Sequence, residues 1–535
     1  MKTMISSIIL ASCLALPLAS CSDSDAAPEQ KDWSTTTYFY SADAAMQDTY
    51  YKPAVGYVGD PMPFFDPVAG DFKVLYLQDF RPNPEGTYHP IWGVSTKDAA
   101  HYTSLGELVS CGTKKSQDAA IGTGSTIYDE ASKLYYTFYT GNKYLPTGDE
   151  SAQAVMVATS PDFKTWTKDR TFLLKGQDFG YDKTDFRDPF VFKGDDGKFH
   201  MLVSTKKGGK GSLAEFVSDD LKNWTDNGVF MTMMWDRFYE CPDLFKMGDY
   251  WYLVYSEIHH AIRRVQYFKG RTLDELKACT ANDAGRWPDA HEGFLDSRGL
   301  YAGKTASDGT NRYLWGWCPT RSGKDNTAVG ASPAEPEWGG NLVCYKLIQH
   351  EDGTLTLGQV DAVSEKYNQD VAVEVKESQN MTEADGTYTL AGNAELPDAY
   401  MLMGRLGNHN KISFTVTTSN EWDKFGISMV RGSDSKKYYT MVVNPENENN
   451  RKVNFEEQGV EGKGFIAGID GYVFARPADN VYNITIYTDN SICVMYINDV
   501  CSYTNRIYGI QKNCWSINSY NGANVKISNL KISQY

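Results

Sequence analysis

The sequence predicts an all-β protein, a five-bladed β-propeller followed by a C-terminal β-sandwich, and three observations carry that expectation. First, aromatic-rich strand candidates recur at Phe72 to Phe80, Leu134 to Gly141, Lys198 to Thr205, Tyr250 to Glu257 and Arg312 to Pro319. Each follows a turn rich in Gly or Asp, such as Asp195-Asp196-Gly197. Five units spaced by about fifty to sixty-five residues match radially repeated four-stranded sheets. Second, Ser160-Pro161-Asp162-Phe163-Lys164-Thr165-Trp166 and Ser218-Asp219-Asp220-Leu221-Lys222-Asn223-Trp224 share a pattern, with Ser95-Thr96-Lys97-Asp98 through Tyr102 as a degenerate copy. Third, the character changes from about Tyr367. Lys411 to Val416, Tyr482 to Tyr487 and Val525 to Ile532 alternate apolar and polar residues, as strands of an antiparallel sandwich do.

In chain order, residues 1–20 read as a lipoprotein signal peptide. Lys2 supplies the positive charge, Ile8 to Leu18 the apolar stretch and Leu18-Ala19-Ser20-Cys21 the processing site. The last four look like a bacterial lipobox, which would make Cys21 the lipidated first residue of the mature protein; plain secretion is the alternative. Residues 21–45 form a polar tether and lead-in. Residues 46–350 are the propeller, 351–370 a linker and 371–535 the sandwich. The expected location is the bacterial outer membrane, lipid-anchored through Cys21 and facing the cell surface.

Composition narrows the function. The chain has 535 residues, enough for two large domains, and 52 Lys plus Arg against 68 Asp plus Glu. A formal net charge of −16 argues against nucleic acid and anionic membrane surfaces as partners. No Cys-x-x-Cys pair marks a zinc or redox site, so neither metal nor cofactor is expected. His259-His260 on a strand would point to opposite faces and share no ion easily. Cys493, Cys501 and Cys514 lie close enough in sequence for one disulfide.

Three acidic residues open similar strand patterns: Gly59-Asp60-Pro61-Met62-Pro63-Phe64, Phe186-Arg187-Asp188-Pro189-Phe190 and Tyr239-Glu240-Cys241-Pro242-Asp243. Acidic residues before strands are often turn formers. In equivalent blades of a propeller, however, three of them would face one another across the channel. Two carboxylates flanking a bond are the minimum equipment for glycoside hydrolysis, and a third can hold the sugar as positive charge develops.

At these residues the chain resembles glycoside hydrolase family 32, the β-fructosidases that include invertases, inulinases and levanases. Phe186-Arg187-Asp188-Pro189 and Glu240-Cys241-Pro242-Asp243-Leu244-Phe245 match two signature motifs of that family. The first motif departs from it: Gly59 precedes Asp60, and Met62-Pro63 replace the usual Asn-Gly. Weaker echoes run through Tyr76-Leu77-Gln78, Trp92 to Asp98, Thr123-Gly124-Ser125, Leu314-Trp315-Gly316-Trp317 and Trp338-Gly339-Gly340. The resemblance implies Asp60 as nucleophile, Asp188 as transition-state stabiliser and Glu240 as acid/base. The candidate substrate-binding residues are Gly59, Met62, Gln78, Trp92, Thr123, Gly124 and Arg187. Arg187 would grip a carboxylate or sugar oxygen with its planar fork, or serve as a structural ion pair.

The expected partner is a fructan, levan ahead of inulin, cut internally with retention of configuration. Rival readings are an exo-acting inulinase or invertase, an inverting glycosidase of the arabinan- and xylan-cleaving five-bladed type, and a non-catalytic glycan-binding surface lipoprotein. The sandwich is expected to rigidify the propeller, with sugar binding through Trp422, Tyr438 and Tyr439 as the alternative.

Overall fold

The computed structural model describes residues 49–80, 88–233, 238–257, 264–279, 292–297, 299–321, 336–431, 438–445, 452–458, 472–474, 476–511 and 513–535. Cys21 and His259-His260 lie outside them, as do the side chains of Tyr438 and Tyr439. The described chain is all-β. Its first part is a run of antiparallel meanders beginning with the strands Tyr57–Asp66, Ala120–Asp129, Phe186–Lys193, Glu240–Met247 and Tyr301–Ser307. The second to fourth meanders are separate four-stranded sheets, while the first and fifth join through the pairing of Val58 with Gly340.

The second strand of each meander is where the aromatic repeat falls: Asp71–Asp79, Leu134–Asn142, Phe199–Lys207, Tyr250–Glu257 and Arg312–Arg321. These strands are buried on both faces because each meander lies flat against its neighbours. Leu75, Leu77 and Ile91 pack on Ile121, Tyr135 and Tyr139. Tyr136 and Phe138 pack on Phe199 and Met201, and Leu202 and Leu213 on Leu244, Leu253 and Tyr255. The run closes on itself where Phe72, Val74 and Tyr76 share a core with Tyr252, Val254, Leu314 and Trp315. The five first strands contact one another in a ring, the fifth returning to the first.

The Ser-x-Asp echo is one turn used three times. Asp162 Oδ1 accepts from the backbone N–H groups of Lys164 and Thr165, Asp220 Oδ1 from Lys222 and Asn223, and Asp98 Oδ1 from Ala100 and His101. Each carboxylate closes the link between the third and fourth strands of its meander, the job that Asp does in turns generally.

Every first strand also carries a bulge. Its pairing with the second strand slips at Gly59/Met62, Gly122/Gly124, Arg187/Phe190, Glu240/Asp243 and Tyr301/Lys304. Asp60, Asp188, Cys241 and Ala302 occupy these bulges at positive φ, from 32° to 56°. The first three precede a proline, which cannot donate to the ladder and so interrupts it. Bulges re-aim side chains, and strained backbone of this kind concentrates at functional sites.

The C-terminal part is two sheets over one core. Ile412, Phe414, Ile484, Ile486, Val525 and Ile527 of one sheet meet Met401, Phe425, Ile427 and Ile517 of the other. The eight described cysteines are free thiols, which corrects the expected disulfide. The register shows why: Cys493 faces Asn505 and Cys501 faces Ile497, so these two are not opposed, and Cys514 stands in the other sheet.

The two parts are bonded through buried polar groups. Asp296, fully buried, accepts from Thr504 N and Oγ1 at 2.8 Å and from Ser502 Oγ at 2.9 Å. Arg506 of the sandwich donates Nη2 to Cys318 O at 2.8 Å and to Asn341 Oδ1 at 2.7 Å, and Nε to Pro319 O at 3.1 Å. Such satisfied buried groups cost little, whereas removing one partner strands the rest without water.

Candidate active site

The bulges deliver their side chains to one cavity of about 210 Å³, lined by Asp60, Thr123, Arg187, Asp188, Glu240 and Tyr301 together with His89, Asn142, Cys241 and Trp338. That is below the roughly 300–1,000 Å³ of pockets for drug-sized ligands and nearer the scale of one sugar ring. Three carboxylates therefore meet at one end of the ring of first strands. Their positions are not all equivalent, which corrects the reading of the three motifs as copies. Asp60 and Asp188 sit at the bulge itself, as does Cys241; Glu240 stands one residue earlier, in register with Gly59 and Arg187. The extra residue in Glu-Cys-Pro makes the difference.

Each carboxylate has its own surroundings. Asp60 accepts from Thr123 Oγ1 at 2.7 Å on Oδ2 and from Trp317 Nε1 at 3.1 Å on Oδ1. Burial pushes its pKa up, and these two donors oppose the shift. Glu240 accepts from Arg187 Nη2 at 3.0 Å on Oε1 and from the Tyr301 hydroxyl on Oε2. Asp188 accepts the backbone N–H of Cys241 at 2.9 Å, and its own N–H donates to Thr140 Oγ1 at 2.8 Å. Burial pushes Asp188 up to about 6 against the pull of Arg187 and the Cys241 N–H, with the Glu240 and Asp60 charges adding to the rise. Arg187 is braced by Asp185 at 2.6 Å and by the Phe238 ring, 3.8 Å from its guanidinium carbon to the ring centre. It is thus an ion-pair partner of Glu240 and a wall of the pocket at once.

Below the pocket Lys304 is buried and donates Nζ to Gly124 O at 2.7 Å. Burial lowers its pKa, and Cys241, Asp243, Asp188 and Asp60 pull it back up. Asp243, also buried, accepts from Thr305 N at 2.7 Å and Oγ1 at 2.6 Å.

The other candidate binding residues divide. Thr123 and Arg187 line the cavity. Gly59 lies beneath the Trp338 ring, so close that an added Cβ would run into it. Met62 is buried, and its sulfur accepts the Gly124 N–H at 3.1 Å, so these two tie the first meander to the second under the site. Gln78 is buried with its amide on Val55 O, and Trp92 packs edge-on against Phe80 at 6.0 Å. Neither is on the cavity wall. Sequence reasoning assigned no role to Tyr301, Trp317 or Trp338, although the motifs around both tryptophans were in view; Tyr301 occupies the fifth copy of the bulge position that holds Arg187 and Glu240.

Comparison with known proteins agrees with this architecture. Residues 50–360 match the model of the glycosyl hydrolases family 32 N-terminal domain, and residues 353–532 match that described as GH32, BT1760-like, C-terminal domain. The class is therefore that of the glycoside hydrolases. Within it, the chain belongs to family 32. Similar relatives include the β-fructofuranosidase insoluble isoenzyme CWINV2 of Arabidopsis thaliana, 27% identical over 52% of this chain and 50% of the relative. Another is the fructan 6-exohydrolase of Beta vulgaris, 25% identical over 50% of this chain and 46% of the relative. The chain spans about half the length of the curated relatives it matches. Among solved structures, the fructan 1-exohydrolase IIa of Cichorium intybus superposes with a TM-score of 0.68 at 16% identity, covering 92% of this chain and 97% of that one. The exo-inulinase of Aspergillus awamori gives 0.66 at 16% identity over 91% and 98%. These likenesses show a shared fold.

Proposed function

We propose that the chain is a retaining β-fructosidase that cleaves a fructan, levan ahead of inulin and internally ahead of end-trimming, with the five meanders as blades of a five-bladed propeller. The observation that carries the catalytic part is the convergence of three carboxylates in one cavity, each with a different set of donors. Asp60 is the nucleophile. An indole N–H can only donate, so Trp317 favours the ionised carboxylate that attack requires. Glu240 protonates the glycosidic oxygen as Asp60 attacks the anomeric carbon, forming a fructosyl ester and releasing the leaving alcohol. Glu240, now ionised, takes a proton from water; the water oxygen attacks the anomeric carbon and frees Asp60. Asp188 stabilises the charge that builds up on the sugar between these states.

The fructan reading is supported by the family and by the printed activity of the Beta vulgaris relative. The preference for polymers rests on the lipobox at Cys21, because an enzyme tethered at a cell surface gains most from cutting molecules too large to import. End-trimming is the second reading, favoured by relatives and neighbours named as exo-acting. Separating the early products from levan, inulin and sucrose tests both: oligosaccharides from levan support internal cleavage, fructose alone supports the exo reading, and hydrolysis of sucrose with neither polymer touched overturns the fructan assignment. Loss of membrane association in Cys21→Ala, with wild type resisting a salt wash, tests the anchor.

A further inference from the structure

In the ring of first strands the fifth, Tyr301–Ser307, touches the first and the fourth. Lys304 of that strand reaches past both neighbours. Its ammonium donates to Gly124 O of the second meander at 2.7 Å and lies 5.4 Å from the centre of the Phe190 ring of the third. It is 2% exposed and is not on the cavity wall, so it crosses the ring beneath the pocket and a sugar in the pocket does not touch it.

An ammonium is costly to bury unless opposite charge compensates it. The neighbouring charges show which groups do so. Arg187, on the third strand, is paired with Asp185 and with Glu240 of the fourth. Arg312, on the second strand of the fifth meander, bonds Thr305 Oγ1; burial raises the pKa of Asp243 and the Arg312 charge opposes that rise. The Cys241 thiol is pushed up by burial and stays neutral, and the Tyr301 hydroxyl is spent on Glu240. Asp60 and Asp188, by contrast, are held by neutral donors: Thr123, Trp317 and the Cys241 N–H. Burial raises Asp60, and the Lys304 charge joins Thr123 and Trp317 in opposing the rise.

The contact with Gly124 adds a geometric effect. Gly124 is fixed on both sides, its N–H on Met62 Sδ at 3.1 Å and its carbonyl on Lys304. The residue before it, Thr123, carries the hydroxyl bonded to Asp60.

We propose that Lys304 is a positioning residue for the nucleophile, the buried counter-charge of Asp60 and Asp188 and the tie that sets Thr123 against Asp60. The proposal rests on Asp60 being that nucleophile. Two carboxylates then face one ammonium, and the positive charge that develops on the sugar makes up the difference in the transition state.

The test follows kcat and KM against pH in wild type, Lys304→Gln and Lys304→Met, with thermal melting to show which variants fold and Asp60→Ala as the control. Lys304→Gln loses the charge but keeps a donor for Gly124 O. Lys304→Met loses both and is the neutral side chain that a dry site accepts best. Without the charge Asp60 holds its proton more tightly, so in either variant the acid limb of kcat/KM moves to higher pH by about one unit. KM at the optimum stays close to wild type, because Lys304 does not touch the sugar. An acid limb that stays in place in whichever neutral variant folds, with Asp60→Ala inactive, overturns the role of Lys304 and leaves the nucleophile standing. Failure of both variants to fold assigns Lys304 to the fold alone and overturns the proposal as well. An active Asp60→Ala overturns both readings together.

Discussion

Trp317 of the fifth meander donates its indole N–H to Oδ1 of Asp60 at 3.1 Å, while Thr123 of the second holds Oδ2 at 2.7 Å. Burial raises the pKa of Asp60 and these two donors lower it. Trp317→Phe removes one of them, so the Asp60 pKa rises. The acid limb of the kcat/KM profile should then move to higher pH by about one unit, because a hydrogen bond to a charged group is worth roughly that much. A loss of activity with the limb unmoved would mean that Trp317 acts by packing alone.

The two carboxylates proposed as nucleophile and acid should separate by substrate. Asp60→Ala is expected to lower kcat by about 10⁴ or more on every fructoside, since no ester can form. Glu240→Ala should lose about 10² to 10⁴ on natural linkages. On a fructoside whose leaving group departs without protonation, its first step should be nearly intact. Equal losses on both kinds of substrate would contradict the acid role of Glu240.

Gly59→Ala places a methyl group where the Trp338 ring lies. Either the indole moves or the Asp60 bulge does, at an overpacking cost of about 1–3 kcal/mol. We expect a lower melting temperature, a shifted tryptophan fluorescence spectrum and a fall in kcat/KM of about tenfold or more. Wild-type values for all three would show that the close approach is unimportant.

Asp188 makes a prediction about stability. Its folded pKa, pushed up to about 6, lies above the ordinary carboxylate value of 3.8. The folded chain therefore binds this proton more tightly than the unfolded chain, and stability falls as pH rises from about 4 to 6. Asp188→Asn removes that penalty. Urea denaturation should show the variant more stable than wild type at pH 7, by on the order of 2 kcal/mol, with the difference gone near pH 4. An equal difference at both pH values would assign it to packing. Turnover should fall even as stability rises, the trade expected where a site holds strained charge.

How much of this was readable beforehand depended on where each residue sits. The second strands, such as Tyr250–Glu257, were legible because burial on both faces makes them dense in aromatic and β-branched residues. His409–Thr418 in the sandwich was legible for the opposite reason, one buried face giving strict alternation. The first strands were harder, since Pro61, Pro189 and Pro242 sit at bulges that break any period. That is why Glu240 was read as the counterpart of Asp60 when its true counterpart is Gly59. Tyr301 and Trp338 stayed without roles because their importance lies in contacts with neighbouring meanders, to Glu240 and over Gly59, which no local pattern encodes. Trp92 and Gln78 do not line the cavity.

Arg506 sets a limit on how this protein can be taken apart. It reaches from the last third of the chain to the carbonyls of Cys318 and Pro319, immediately after Trp317, and to Asn341, three residues after Trp338. A gene trimmed after the N-terminal region would leave those carbonyls facing a hole, next to the two indoles that frame Asp60. The N-terminal half is therefore not a portable cassette: grafted onto another partner, it should arrive with a loosened Asp60 unless the strand Cys501–Arg506 travels with it.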